Sequence, residues 1–415
     1  MQIRDVLCVA GRSGYMLKDL QAIRAGRARP NGFSFDGDPV TPGFSRITQP
    51  GDMLSVILQL DDGQIAVGDC MDVIFSGAAG RDPVFQAEAH LPLLEGPIRQ
   101  RLIGHQLDAF RPLAEEIDRL ELDGRRLHTA LRYGVTQDLL HAVSLARHET
   151  MAETVAHDYE SEISPHTIPI LGMCPTDQRL QVDKMIMKGI DVLPHANFVT
   201  AADLGPDGQT LLDYTAWLSQ RIGDLGLAGY QPKIHLDVYG GIGDMCQMDA
   251  ARMATFIATL ATHAAPYELL VETPVVASTQ HGQIDLFHAL KIQLANAGSD
   301  VKLVVDEWCN TLEDVKLFAD SGAVDYIQVK TPDLGGINNT IEALLYCRRA
   351  GVGAYCGGSA NETDQSARVC AQIALACQAD LLMCKPGQGV DEGLLILTNE
   401  MHRTLALIAL RANRH

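Results

Sequence analysis

From about His166 onward, apolar and polar positions follow one repeating rhythm. A short run of β-branched and aromatic residues ends in polar ones, and a longer amphipathic stretch follows. The runs are HTIPILGM (166–173), DVLPHANF (191–198), KIHLDVYG (233–240), ELLVETPV (268–275), VKLVVDEW (301–308), DYIQVKTP (325–332), GAYCGGS (353–359) and DLLMCKPG (380–387). Between them lie helical stretches such as IDLFHALKIQLANAG and IEALLYCRRAG, which close on glycine as helices often do. Strands alternating with helices eight times over roughly 250 residues predict a (β/α)8 barrel. A doubly wound open sheet is the structural alternative, because alternation alone does not establish closure.

The first 160 or so residues break this rhythm. MLSVILQLDDGQIAVGDC reads as two strands with a turn at Asp61-Asp62-Gly63, and PLLEGPIRQRLIG and LHTALRYGVTQDLLHAVSLARH read as helices. The pattern predicts a separate N-terminal α+β domain over residues 1–160, joined near HDYESEISPHT to a barrel domain over 161–415 that ends in a helix. FSGAAGRDPVF, residues 75–85, carries two glycines and is either a mobile loop or a plain surface connection.

Composition narrows the function. With 47% hydrophobic and 20% charged residues the chain reads as an ordinary soluble globular protein. A net charge of −19 disfavours nucleic acid or an anionic membrane as partner, since both repel an acidic surface. No run of about 18 apolar residues predicts a membrane span, and the N-terminal apolar run is too short for a secretory signal. The ten cysteines lack CxxC pairs and several, such as Cys370 and Cys377, fall in apolar segments, so they are expected to be buried reduced thiols in a cytoplasmic protein.

The chemistry collects at the carboxyl ends of the strands, where a barrel keeps its active site. Strand 3 ends with Asp237, strand 4 with Glu272, and strand 5 with Asp306 followed by Glu307. Strand 6 carries Gln328 and Lys330 on one side, and strand 2 ends with His195 before Asn197. Single acids at such places serve as caps or salt-bridge partners. Three in consecutive units would raise one another's pKa in an apolar mouth, and a divalent cation resolves that conflict. All-oxygen ligands suit a hard ion such as Mg2+. Lys330, desolvated near a cation, then has a depressed pKa and can act as a general base, with His195 approaching from another side. Metal, base and a second titratable group imply abstraction of a proton next to a carboxylate, the arrangement general to enolase-type enzymes.

On these residues the chain resembles the methylaspartate ammonia-lyases, members of the enolase superfamily, over essentially its whole length. The resemblance is carried by VGDC and SGAAGRDPVF, then VDKMIMKGIDVLPHA and HLDVYGGIG, then VVDEWCNT, IQVKTPDLGGINN, NETDQSAR and KPGQGVDEG. It implies an N-terminal capping domain on a (β/α)8 barrel, a homodimer, Mg2+, activation by K+, and reversible loss of ammonia from (2S,3S)-3-methylaspartate to give mesaconate. By motif, the metal ligands fall on Asp237, Glu272 and Asp306, the lysine base on Lys330, its partner histidine on His195 and the adjoining glutamine on Gln328. Substrate-contacting positions fall on Met173, Ile74, Ser359, Ala360 and Met383. Several depart from the family pattern. Met173 and Ile74 stand where the family has glutamines, and Ser359-Ala360 where it has Thr-Cys. The backbone at Ser359-Ala360 is expected to supply N–H donors in place of the lost side chains. The departures predict a pocket that is drier at that end and handles 3-methylaspartate less well than a substrate with a larger or less polar substituent.

Other readings are a dehydratase, racemase or cycloisomerase on another carboxylate, or a silent barrel used for binding, which need not keep three acids and a base. YGGIGD lacks the GxGxxG spacing of a dinucleotide site, and no GxSxG elbow is present.

Overall fold

The structure is a computed structural model that describes residues 1–78, 80–388 and 390–413. The eight runs read from the sequence form eight parallel strands in a closed barrel, each paired with its sequence neighbours, and strand 8 pairs with strand 1. Closure rules out the open sheet. The strands are Ile170–Leu171, Val192–Asn197, Lys233–Asp237, Leu269–Glu272, Lys302–Val305, Tyr326–Val329, Gly353–Cys356 and Leu381–Met383. They are short and almost wholly buried, because barrel interior and helix layer cover both faces.

Two strands are shorter than their sequence patterns. The first shrinks to two residues because Pro169, which has no N–H, immediately precedes it; its carbonyl still accepts from Leu382 N at 2.9 Å. The seventh stops at Cys356 because the chain turns at Gly357-Gly358. Gly358 has φ +141°, and a Cβ there would sit 1.9 Å from Glu362 Oε2 and 2.6 Å from Lys385 Nζ. That turn carries Ser359 and Ala360 over the barrel mouth.

The connecting helices follow their own cues. Thr311 and Asp314 form a reciprocal cap that starts Leu312–Ser321. Ile337–Ala350 ends at Gly351, whose φ of +71° no β-carbon opposes.

The N-terminal part is an antiparallel meander of Ile3–Lys18, Thr48–Leu60 and Ile65–Cys70, backed by the helix Thr129–Arg147. The predicted turn at residues 61–63 joins the second and third strands. One continuous apolar core runs from this sheet into the barrel. Polar seams also join the two parts: Thr363 Oγ1 donates to Asp69 Oδ2 at 2.6 Å and Gly14 N to Asn361 O at 3.0 Å. All ten cysteines are free thiols, nine of them buried. No helix among the described residues is long and apolar enough to cross a membrane.

Candidate active site

At the carboxyl end of the barrel the backbone is bent where the chemistry sits. Asp237 and Glu272 are the last residues of strands 3 and 4, and Asp306 directly follows strand 5. Within two residues of each acid a non-glycine residue takes the left-handed region: Tyr239 at φ +45°, Thr273 at +46° and Trp308 at +70°. His195 itself has φ +44°. It lies where strand 2 slips register against strand 3, so an extra residue turns its side chain out of the pleat. Such conformations cost of order 1 kcal/mol or more each and persist only when the surroundings enforce them.

The three acids, Gln328, Lys330 and His195 come together, each with different nearest partners. Lys330 Nζ lies 2.7 Å from Asp306 Oδ2. Glu272 accepts from Gln328 Nε2 at 2.9 Å and from the Tyr355 hydroxyl. Asp237 accepts from Asn197 Nδ2 at 3.2 Å and from the Tyr239 N–H. His195 bridges two of the acids, 3.9 Å from Asp237 and 3.7 Å from Glu272. The acids remain in conflict. Burial first, then the charges of Glu272 and Asp306, hold Asp237 well above the usual carboxylate range, and burial and Asp306 do the same to Glu272.

Lys330 departs from the sequence expectation. Burial, the largest influence, pushes its pKa down, but the carboxylates of Asp306, Asp333 and Glu307 together outweigh it and the net direction is up, not the depression read from the sequence. A cation drawing on Asp306 would remove that opposing charge.

Beneath the acids lies His235, which the sequence reading missed. Its Nδ1 is 3.2 Å from His195 Nδ1 and its Nε2 is 3.1 Å from Glu272 Oε2. Burial pushes His235 down to about 3 and His195 well below its ordinary range, so both rings are neutral. His235 Nε2 makes no hydrogen bond among the described residues despite its approach to Glu272, so the direction of the His195–His235 contact follows the tautomer adopted. Where His195 Nδ1–H is the donor, its Nε2 keeps a lone pair, as a base requires. The alternation in HLD, which puts residues 235 and 237 on the same side, was the available signal. His195, His235 and Glu272 also form the one group among the described residues whose nitrogen and oxygen atoms all lie within 4.8 Å, close enough to share an ion; no cysteine belongs to it.

Above the acids is a cavity of about 170 Å3 lined by His195, Asp237, Asp306, Gln328 and Lys330 together with Ile74, Met173, Ser359, Ala360 and Met383. Met173, Ala360 and Met383 pack in one apolar cluster, with Ile74 against it. Only part of the expected backbone donation is present. Ser359 N–H is committed to Glu362 Oε2 at 3.0 Å, and its hydroxyl accepts from Ile74 N at 3.0 Å, which ties the capping segment to the barrel.

The glycine-rich segment after Ile74 is more than a surface connection. Phe75 and Arg81 line the cavity, Phe75 meets Tyr239 edge-on at 6.2 Å, and Arg81 forms a buried ion pair of 2.8 Å with Asp333. Ala79, within the same stretch, lies outside the described residues.

Comparison with known proteins agrees with this geometry. The family model for the methylaspartate ammonia-lyase N-terminus matches residues 1–160, and that for the C-terminus matches residues 162–410. The methylaspartate ammonia-lyase of Clostridium tetanomorphum is 46% identical over 99% of this chain and 100% of its own. The crystal structure of β-methylaspartase from the same organism, as its Mg complex, superposes with a TM-score of 0.94 at 46% identity, covering 99% of this chain and 100% of that one. The Citrobacter amalonaticus enzyme containing (2S,3S)-3-methylaspartic acid superposes with a TM-score of 0.95 at 46% identity, over 99% of this chain and 100% of that one. Fold, site and full-length similarity lead to one assignment: the chain belongs to the methylaspartate ammonia-lyase family of carbon–nitrogen lyases.

Proposed function

We propose that this protein removes ammonia from 3-methylaspartate, or a closely related 3-substituted aspartate, with Mg2+ held by Asp237, Glu272 and Asp306. The observation that carries the reading is the meeting of three buried acids with one lysine at consecutive strand ends. Lys330 pairs with Asp306, and the other two acids are left resisting ionisation beside it, a conflict that a hard divalent ion resolves. Carboxylate oxygens suit Mg2+ better than imidazole nitrogens do, which favours the three acids over the His195–His235–Glu272 group, although Glu272 belongs to both. When bound, the ion supplies positive charge opposite the substrate carboxylate on which negative charge develops.

The remaining work falls to the chain. Lys330 Nζ takes the proton from C3, Gln328 orients the carboxylate next to that carbon, and the C3–H electrons form the new double bond. The C2–N bond then breaks, its electron pair leaves with nitrogen, and ammonia departs. His195, neutral and carried by strand 2, holds the substrate and serves as the base for the epimer whose C3 proton faces it. Homodimer formation, activation by K+ and a cytoplasmic location rest on the same family resemblance.

The apolar cluster of Met173, Ala360 and Met383 favours a second reading of the substrate, in which the C3 substituent is larger or less polar than methyl. A panel of 3-substituted aspartates with Mg2+, scored by ammonia release, tests both. Release from at least one member supports the reaction, and release from none overturns it.

A further inference from the structure

One cation in the cavity has no assigned role. Lys18, the last residue of the first strand, lines the same cavity as Ile74, Met173, Ser359 and Lys330. Its backbone N–H donates to Ile74 O at 2.8 Å, so it is fixed beside one of the two positions where the family's glutamines are missing. The side chain is largely buried, yet it forms no ion pair among the described residues. Its ammonium lies 5.9 Å from the Tyr15 ring and 5.6 Å from the Phe33 ring. Gln388, bonded to the Tyr15 hydroxyl, shares that corner. Burial lowers the Lys18 pKa, and the only acid whose charge reaches it, Asp177, is exposed and makes no ion pair with it.

A largely buried ammonium without a counter-ion is unfavourable, and in a chain of net charge −19 acids for pairing are plentiful. The acids of the barrel mouth are taken up with one another and with Lys330. What the cavity lacks is an anion at the capping end.

We propose that Lys18 is a specificity-determining residue that binds a carboxylate of the substrate remote from the acid cluster. It replaces with one charged contact the polar contacts that Met173 and Ile74 cannot make. The carboxylate is either the second one of the aspartate skeleton or one carried by the C3 substituent. The proposal rests on the reaction proposed above for its substrate class, but binding measurements separate the two.

The test is calorimetric titration of the Mg2+-loaded protein with 2-methylfumarate, with a matching monocarboxylate that lacks the remote carboxylate, and with the tricarboxylate aconitate. Wild type is compared with Lys18→Met and Lys18→Arg, and Lys18→Gln substitutes for the methionine variant if that one fails to fold. A lost charge-assisted contact weakens binding roughly ten- to a hundredfold. If the skeleton carboxylate is the ligand, Lys18→Met weakens 2-methylfumarate by that factor, leaves the monocarboxylate unchanged, and Lys18→Arg retains most of the affinity. If the substituent's carboxylate is the ligand, only aconitate loses affinity. Equal affinities of wild type and Lys18→Met for all three compounds overturn the proposal. A protein that binds these acids but releases no ammonia defeats the proposed reaction and leaves the Lys18 comparison intact.

Discussion

Lys330 is tolerated at the end of an apolar strand because Asp306 lies 2.7 Å away, and Asp306 in turn has two further acids as neighbours. Met173 shows the opposite character: it lines the cavity and packs with Ala360 and Met383 at a position proposed to meet the substrate. Met173→Gln should therefore raise kcat/KM for 3-methylaspartate relative to 3-ethylaspartate by about tenfold, the worth of one hydrogen bond to a charged group. An unchanged ratio would mean that residue 173 does not meet the substrate. Asp72 offers a pH-dependent test away from the acid cluster. Burial pushes it up to about 7 despite bonds from Ser76 and the Val73 N–H. Between about pH 4 and 7 the folded state then binds a proton that the unfolded state has released, so this group's contribution falls as pH rises. Asp72→Asn should flatten the decline of unfolding free energy over that window by up to roughly 1.4 kcal/mol per pH unit. Parallel pH profiles of wild type and variant would show that Asp72 titrates normally.

At the scale of elements, the site is made by segments that stop or bend early. Strand 7 ends at Cys356 so that Gly358 can turn Ser359 inward, and strand 2 bulges so that His195 leaves the pleat. The 75–85 segment closes the mouth from the other part of the chain and is pinned by Arg81 on Asp333. Removing one partner of a buried pair leaves the other charge uncompensated, at a cost of roughly 3–5 kcal/mol. Arg81→Met should thus lower the melting temperature and raise KM more than it lowers kcat, measured by thermal unfolding and steady-state kinetics. A variant with wild-type Tm and KM would show that the segment is held by its other contacts.

For the whole molecule, the barrel was legible because eight short buried strands leave a simple block rhythm, and a parallel strand needs no partner-specific residue to be recognised. The acids, Lys330 and His195 were legible because strand ends are where that rhythm breaks into polar residues. Lys18 was not, since nothing near it in sequence says that Ile3–Lys18 ends over a cavity whose other walls come from residues 73–81 and 173–388. Nor could a one-dimensional pattern reveal that Ser359 N–H is consumed by Glu362, because that depends on the turn at Gly358. A metal centre at the barrel mouth also has a global consequence. Mg2+ at 100 times its dissociation constant should stabilise the fold by about 2.7 kcal/mol, seen as a rise in Tm that chelation reverses. Asp237→Asn should abolish most of that rise, whereas an undiminished rise would place the ion elsewhere, with the His195–His235–Glu272 group the next site to test.

In the proposed reaction Lys330 removes a carbon-bound proton next to a carboxylate in a Mg2+-dependent elimination. The most direct measurement follows the C3 proton of (2S,3S)-3-methylaspartate by NMR in D2O with Mg2+, together with ammonia release, for wild type and Lys330→Ala. Wild type should show Mg2+-dependent exchange or elimination at C3 and Lys330→Ala essentially none, with the variant still folded and still binding 2-methylfumarate. Wild-type exchange in Lys330→Ala, or exchange in wild type that is indifferent to removal of Mg2+, would contradict the proposed reaction.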